Sequence, residues 1–399
     1  MFRLVPPAGT PLRSSQVLSA LRDVATANGH GKKTLETFAA QLGARYAFGA
    51  SSGRAALWTI LRGLRRLRPQ AGIVALPAYT CFSVAAAVVR AGLQVHLMDV
   101  IPETLDLDVC AADSLPEKSL LCAVTANLFG YANDVRPLRE MARARNAFVV
   151  DDAAQALGAW REGKPAGMRG DVGLFSLGRG KAISTIEGGL IVTGSEEIAK
   201  AVREELALLR PASAFHGAWL LLQLLGYSAL LRPELYRIPR AMPFLKIGVT
   251  EFDPGFSVNG LHPLSHSLFL SLVDQLEAIN EIRRANSAWM REALEGHPKF
   301  CVPQPSANTR ATMVRLPVIA RDEDTRSFAL KRLRVAGIEA SAFYPSAICD
   351  IEGIGAHMTN PPVHRAGAEH IARTLFTLPV HPLVERKDME RIADVLYSV

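Results

Sequence analysis

An α/β fold, with a mainly parallel sheet covered by helices on both faces, is predicted by three features of this chain. Between about Lys33 and Glu205, stretches of helical periodicity alternate with short apolar or β-branched runs. Those runs are apolar along their length, as strands buried on both faces are. One of them, Val149-Val150-Asp151-Asp152, ends in acid at the strand terminus where ligands of such sheets sit.

The elements follow in order. Gly53–Leu67 reads as a helix with Ala56, Leu57, Ile60, Leu61 and Leu64 on one face. Residues 73–76 form a strand stopped by Pro77, and residues 95–100 and 120–126 form two more. A helix over 134–145 feeds the strand at 148–151, and strands follow at 172–177 and Gly189–Thr193. A long amphipathic helix is expected over 268–294. From about Cys301 to Val399 the pattern is βαβ-like, predicting a smaller C-terminal α/β unit.

At 399 residues the chain exceeds one ordinary core. The expected division is a large domain over 1–250 and a small one over 251–399. Hydrophobic residues make up 49% and charged residues 21%, which excludes a disordered chain. The net charge of +7 is spread along the sequence without any nucleic-acid motif, so no nucleic-acid partner is expected. Cys81, Cys110, Cys122, Cys301 and Cys349 are widely spaced, odd in number and lack a CxxC pair. No disulfide framework or metal site is expected, and a reducing cytoplasm fits. Met1-Phe2-Arg3-Leu4-Val5-Pro6-Pro7 has no apolar core of signal-peptide length.

Residues 211–231, from Pro211 on, contain no Asp, Glu, Lys or Arg. Arg232, Arg237, Arg240 and Lys246 follow, interleaved with Pro233, Pro239 and Pro243. The run is long enough to suggest a membrane span. A span, however, would put two parts of one fold on opposite sides of a bilayer. Two readings of this insertion, about 211–247, stay open. One is packing at a dimer interface or over the core. The other is shallow peripheral contact with anionic headgroups, which would suit a lipid-linked or hydrophobic substrate.

Lys181 carries the most information about chemistry. It lies in a small-residue turn, Gly178-Arg179-Gly180, after Phe175-Ser176-Leu177 and before Glu187-Gly188-Gly189. A lysine there, with the carboxylate of Asp152 at a strand end, suits a pyridoxal phosphate site. The amine would hold the cofactor as a Schiff base and the acid would pair with its pyridinium nitrogen. Burial would lower the lysine pKa and favour the neutral, nucleophilic amine. Gln155 is placed to hydrogen-bond the ring hydroxyl. Ser51-Ser52-Gly53-Arg54 opens a helix whose free amides suit a phosphate, with Arg54 adding charge. Taken singly, Ser52-Gly53 is equally explained as a helix cap, and Asp152 also has a capping reading. Lys181 has a reading as a solvated surface lysine, against which stand its small or apolar neighbours and the strand on either side.

Together these residues resemble the DegT/StrS-type aminotransferases, pyridoxal-phosphate enzymes of fold type I that aminate nucleotide-linked keto-sugars. The blocks are Ser52-Gly53-Arg54-Ala55-Ala56-Leu57, Pro77-Ala78-Tyr79-Thr80, Asp151-Asp152-Ala153-Ala154-Gln155-Ala156-Leu157-Gly158, Phe175-Ser176-Leu177 to Lys181 with Glu187-Gly188-Gly189, and Leu378-Pro379-Val380-His381-Pro382. The resemblance implies Lys181 and Asp152 as catalytic residues. It also implies Gln155 on the ring hydroxyl, and Ser52, Ser176 and the Gly53 and Arg54 amides on the phosphate. Dehydrating branches of the family carry histidine in place of the lysine, so Lys181 implies transamination, commonly with glutamate as donor.

Three positions depart from the pattern. Arg54 replaces a threonine, and Cys81 stands where an aromatic stacks on the cofactor ring, leaving Phe82 as the candidate. The stretch that reaches the partner subunit's phosphate is not recognisable around Asn259, the residue left to serve there. The expected protein is a cytoplasmic homodimer with shared active sites. It would take a small-molecule keto substrate and an amino donor, and make an amino-sugar or related surface-polymer precursor. The alternatives are action on a hydrophobic ketone at the membrane face, or cofactor binding without turnover.

Overall fold

Seven strands build the central sheet of the computed structural model. The model describes residues 3–26, 34–109, 119–210, 213–242, 248, 250–305, 307–359 and 365–399. Met1, Phe2, Lys33, Cys110, Pro211, Pro243 and Lys246 lie outside the described residues.

The strands are β1 (Tyr46–Ala50), β2 (Ile73–Pro77), β3 (Gln94–Met98), β4 (Leu120–Val124) and β5 (Phe148–Asp152), then, beyond the short hairpin β6 (Trp160–Arg161) and β7 (Lys164–Pro165), β8 (Val172–Ser176) and β9 (Gly189–Thr193). Their spatial order is β1-β9-β8-β5-β4-β2-β3. Strands β3, β2, β4, β5 and β8 run parallel to their neighbours, while β9 is antiparallel to both β8 and β1. The sheet is therefore mixed and mainly parallel. Strands β2, β4 and β9 are buried throughout, which explains their uninterrupted apolar sequences.

Helices make the crossovers that parallel pairing requires: Phe82–Arg90 joins β2 to β3, and Arg136–Ala144 joins β4 to β5. The chain runs outward from β2 to β3, then returns past β2 to β4 and winds the other way. Between β2 and β4 lies the switch point, and beyond their carboxyl ends opens the crevice where such sheets bind ligands. Helix Gly53–Leu67 buries Ala56, Leu57, Ile60, Leu61 and Leu64, the stripe read from its periodicity.

The second unit is a three-stranded sheet of β10 (Phe300–Cys301), β12 (Leu316–Ala320) and β13 (Leu375–Leu378), while β11 (Thr309–Arg310) joins the β6–β7 hairpin. Its strands pair antiparallel. Two helical passes, Glu323–Val335 and Ala366–Thr374, separate β12 from β13, so the chain returns in the opposite sense rather than as a βαβ unit.

The expected long helix at 268–294 is two helices, Pro263–Leu272 and Leu276–Ala293, joined by a 3-10 turn at Val273–Gln275. The first is buried on nearly every side, with Leu264, Leu268 and Phe269 packed among Phe38, Phe175 and Leu190 of the large unit. The second is amphipathic. One straight helix would not satisfy both environments, and the turn changes the phase between them.

The insertion folds as helix Ala214–Leu230, capped where the Ser213 hydroxyl accepts from the His216 amide at 3.2 Å. Leu220 and Leu224 are fully buried against the protein's own core, whereas Phe215, Trp219 and Leu222 are exposed. No helix among the described residues is long and apolar enough to cross a membrane. His216 Nε2 reaches Glu187 at 2.8 Å, tying the start of this helix to the Glu187-Gly188-Gly189 block.

Candidate cofactor and active site

A cavity of about 310 Å³ opens at the switch point, within the lower range of small-molecule sites. Thr80 and Cys81 reach it from β2, Ala126 and Asn127 from β4, Asp152 from β5 and Ser176 from β8. Ser52, Gly53 and Arg54 form one wall, with Gln155, Lys181 and Tyr344 also lining the space.

Successive strand residues face opposite ways, and this separates the two adjacent acids. Asp151 is fully buried behind the sheet. Its Oδ1 accepts from Thr125 Oγ1 (3.1 Å), Asn127 Nδ2 (2.7 Å) and Arg169 Nη2 (3.3 Å). Its Oδ2 accepts from the Gly167 (2.7 Å) and Arg169 (3.1 Å) amides. Asp152 instead lines the cavity, and its Oδ1 accepts from the Ala154 amide at 2.9 Å. Burial raises its carboxyl to about 6, with the Ala154 amide and Lys181 pulling the other way.

Lys181 follows Gly180, whose φ of +73° is a left-handed conformation that suits glycine. Its turn is held from the N-terminus. Thr10 Oγ1 donates to the carbonyls of Lys181 (2.9 Å) and Ala182 (3.1 Å). The buried Arg283 guanidinium donates to Thr10 Oγ1 (3.0 Å), to the Ala182 carbonyl (3.1 Å) and to the Gly9 carbonyl (3.3 Å). Burial lowers the Lys181 pKa, opposed by Cys81 and Asp152, while Arg315 lowers it further. The arrangement favours a neutral amine beside a carboxylate.

The opposite wall is shaped for an anion. Ser52 caps helix Gly53–Leu67 by accepting from the Ala55 amide at 3.1 Å, and its carbonyl accepts from Ala56. The Gly53 and Arg54 amides are left without intrahelical acceptors. A Cβ on Gly53 would stand 2.8 Å from Ser176 Cβ, so only glycine keeps this cradle open. Gly189 serves the same wall, because a Cβ there would lie 2.3 Å from the Ser52 carbonyl oxygen. The Arg54 guanidinium turns outward, over the Phe256 ring at 4.8 Å and 3.9 Å from Asp253. A phosphate at the helix start, a pyridinium at Asp152 and an aldehyde at Lys181 all find matching groups, so these residues fit pyridoxal phosphate.

One candidate, Phe82, lies elsewhere, and Asn259, expected to serve the partner's site, stands apart from its own chain's cavity. Phe82 is the first residue of its helix and packs into the apolar core, leaving Cys81 at the cavity. The backbone of Asn259 pairs with Ser51 of its own chain, its amide donating to Ser51 Oγ at 3.1 Å, and its side chain does not line the cavity. Gln155 lines the cavity with its amide engaged: Oε1 accepts from the Phe129 amide (3.1 Å) and Nε2 donates to Tyr344 Oη (2.9 Å). Tyr344, Thr10 and Arg283 carried no local signal, since each meets the site across more than 100 residues of sequence. The His381 motif is structural: Nε2 donates to the Pro6 carbonyl at 2.8 Å, and burial lowers its pKa to about 4.

The model of the DegT/DnrJ/EryC1/StrS aminotransferase family matches residues 12–397. The chain is 32% identical over 168 residues to a GDP-perosamine synthase of Caulobacter vibrioides, covering 42% of this chain and 45% of that protein. It is 25% identical to a UDP-N-acetyl-3-dehydro-alpha-D-glucosamine 3-aminotransferase of Acidithiobacillus ferrooxidans, across 94% of this chain and 90% of the relative. The crystal structure of the sugar aminotransferase CalS13 from Micromonospora echinospora superposes with a TM-score of 0.77 at 21% identity, over 99% of this chain and 100% of the other. The chain belongs to the DegT/DnrJ/EryC1/StrS aminotransferase family, pyridoxal-phosphate-dependent enzymes of fold type I.

Proposed function

We propose that this chain transfers an amino group from an amino-acid donor to the keto carbon of a nucleotide-linked sugar or a related ketone. One observation carries the reading: Lys181 and Asp152 face a single cavity whose far wall is the glycine-opened anion cradle at Ser52, Gly53 and Ser176. Pyridoxal phosphate, when bound, supplies the electron sink. Ser52, Ser176 and the Gly53 and Arg54 amides would hold its phosphate, and an ionised Asp152 would pair with its ring nitrogen. Lys181, its pKa lowered by burial, is the nucleophile and the base that carries a proton between carbon atoms. Leu174, Ala154 and Tyr344 also line the cavity.

The relatives named for perosamine and for an amino-glucosamine derivative support a nucleotide-linked sugar as keto substrate. The same reading makes the enzyme a cytoplasmic homodimer. Reconstituted protein should show absorbance near ~420 nm that bleaches with L-glutamate and returns with a keto-sugar nucleotide. Lys181→Ala should lose the band and multiple turnovers while staying folded, and native-rate turnover in that variant ends the assignment.

A second reading rests on the exposed Phe215, Trp219 and Leu222, followed by Arg232 and Arg237. Such a face suits peripheral contact with an anionic membrane, where a hydrophobic or lipid-linked ketone is presented.

A further inference from the structure

Arg315 immediately precedes β12 and brings a cation to the Lys181 turn. Its Nη2 lies 3.4 Å from where a Cβ on Gly180 would stand, one residue before the lysine. Its guanidinium stacks 4.7 Å from the Phe343 ring centroid, and that ring packs at 4.4 Å on Tyr344, which lines the cavity.

Among the described residues, no carboxylate pairs with Arg315, and its solvent-sealed Nη1 has no hydrogen-bond partner. The fully buried arginines leave Nε without a partner too, but their terminal nitrogens are engaged. Arg169 meets Asp151, and Arg283 donates to four oxygens. Arg315 remains a cation at neutral pH although burial lowers it to about 10. Arg315 is half-buried, but a guanidinium nitrogen sealed from water with no acceptor is costly unless an anion completes it.

We propose that Arg315 is the carboxylate anchor of the amino-donor subsite. An α-amino acid would set its carboxylate on the Arg315 fork while its amine reaches the position held by Lys181. The geometry favours a donor carboxylate over a substrate phosphate. In an α-amino acid the carboxylate lies one carbon from the amine-bearing centre, so its anchor must stand beside the lysine, as Arg315 does. The anion cradle at Gly53 is on another wall. A planar fork also matches a carboxylate bidentately. This assignment rests on the aminotransferase reading and gives its amino-acid donor an anchor.

The test uses the reconstituted holoenzyme and three probes. Succinate, a dicarboxylate with no amine, should bind the wild type and perturb its absorbance band. Arg315→Gln should weaken that binding ~30-fold, and Arg315→Lys, which keeps the charge without the fork, by less. L-Glutamate should need a similarly higher concentration to bleach the band of Arg315→Gln. 1-Phenylethylamine, which has no carboxylate, should bleach both proteins at the same rate. Thermal melting checks that each variant is folded, and the lysine variant serves if the glutamine one is not. Failure of the wild type to bind succinate, or equal binding by all three proteins, overturns the proposal. So does an equal loss with glutamate and phenylethylamine, or a loss confined to an acidic keto substrate. Succinate binding that depends on Arg315, in a protein that no amine bleaches, keeps the carboxylate site and sinks the transamination reading instead.

Discussion

Asp151 and Asp152 are adjacent in β5 and face opposite sides of the sheet, one sealed by five donors and the other open to the cavity. Their substitution should separate structure from function. Asp151→Asn strands the buried Arg169 and should cost about 3 kcal/mol in urea unfolding. Asp152→Asn keeps the bond from Ala154 and removes a carboxyl that burial holds at about 6. A raised folded-state pKa stabilises below the ordinary carboxylate range, and that contribution is lost as pH rises through 6. At pH 8 the cofactor-free wild type therefore carries the full penalty. Asp152→Asn should be about 3 kcal/mol more stable there, with the gap closing at about pH 4. The same variant should bind the cofactor more weakly. Equal pH profiles for the two proteins would contradict this account of Asp152.

Gly53→Ala tests the anion wall. The added methyl would meet Ser176 Cβ at 2.8 Å, and both residues sit on rigid elements. The cofactor dissociation constant should rise ~10-fold or more, because the phosphate contacts at the helix start are pushed apart. Inorganic phosphate should compete with the cofactor in the wild type and much less in the variant. Gly53 is the first residue of its helix, so little propensity is at stake, and a melting temperature equal to wild type would confine the defect to binding.

The large unit was legible because its strands are buried runs with one possible partner face, and strands such as β9 begin and end where composition changes. Asp152 and Lys181 were legible because short motifs carry them. What escaped were relations across the chain. The break at Val273–Gln275 reflects packing around Phe269 that no local pattern encodes. The antiparallel β12–β13 pair depends on two helical passes rather than one. Phe82 looked like a ring partner by position, but the first residue of a helix turns with the helix, and here it turns inward. Thr10 and Arg315 stand in sequence stretches that give no sign of a site.

Thr10→Val removes the hydroxyl that donates to the Lys181 and Ala182 carbonyls and accepts from Arg283. The shape is retained but the buried N–H of Arg283 loses an acceptor, at a cost of about 1–3 kcal/mol. The Lys181 turn should loosen. Turnover should fall ~10-fold while the cofactor still binds, since a small misplacement of a reacting group is enough to slow chemistry. A variant with native kcat would show that the turn is held by other contacts.

The exposed row on helix Ala214–Leu230 yields a prediction that separates the two readings of the insertion. Phe215, Trp219 and Leu222 recur at four- and three-residue spacing on one face, while Leu220 and Leu224 turn into the core. Replacing the three exposed residues with serine removes no core contact, so unfolding should change by less than about 1 kcal/mol. If the face meets lipid, wild type should co-sediment with vesicles rich in anionic lipid, the triple variant should stay in solution, and added salt should weaken the wild-type binding. If the face packs against a second copy of the chain, wild type should ignore vesicles at every salt concentration. The triple variant should then dissociate in sedimentation equilibrium. Wild type and variant behaving alike in both assays would leave the face with neither role, and a substrate presented by a membrane would lose its structural basis.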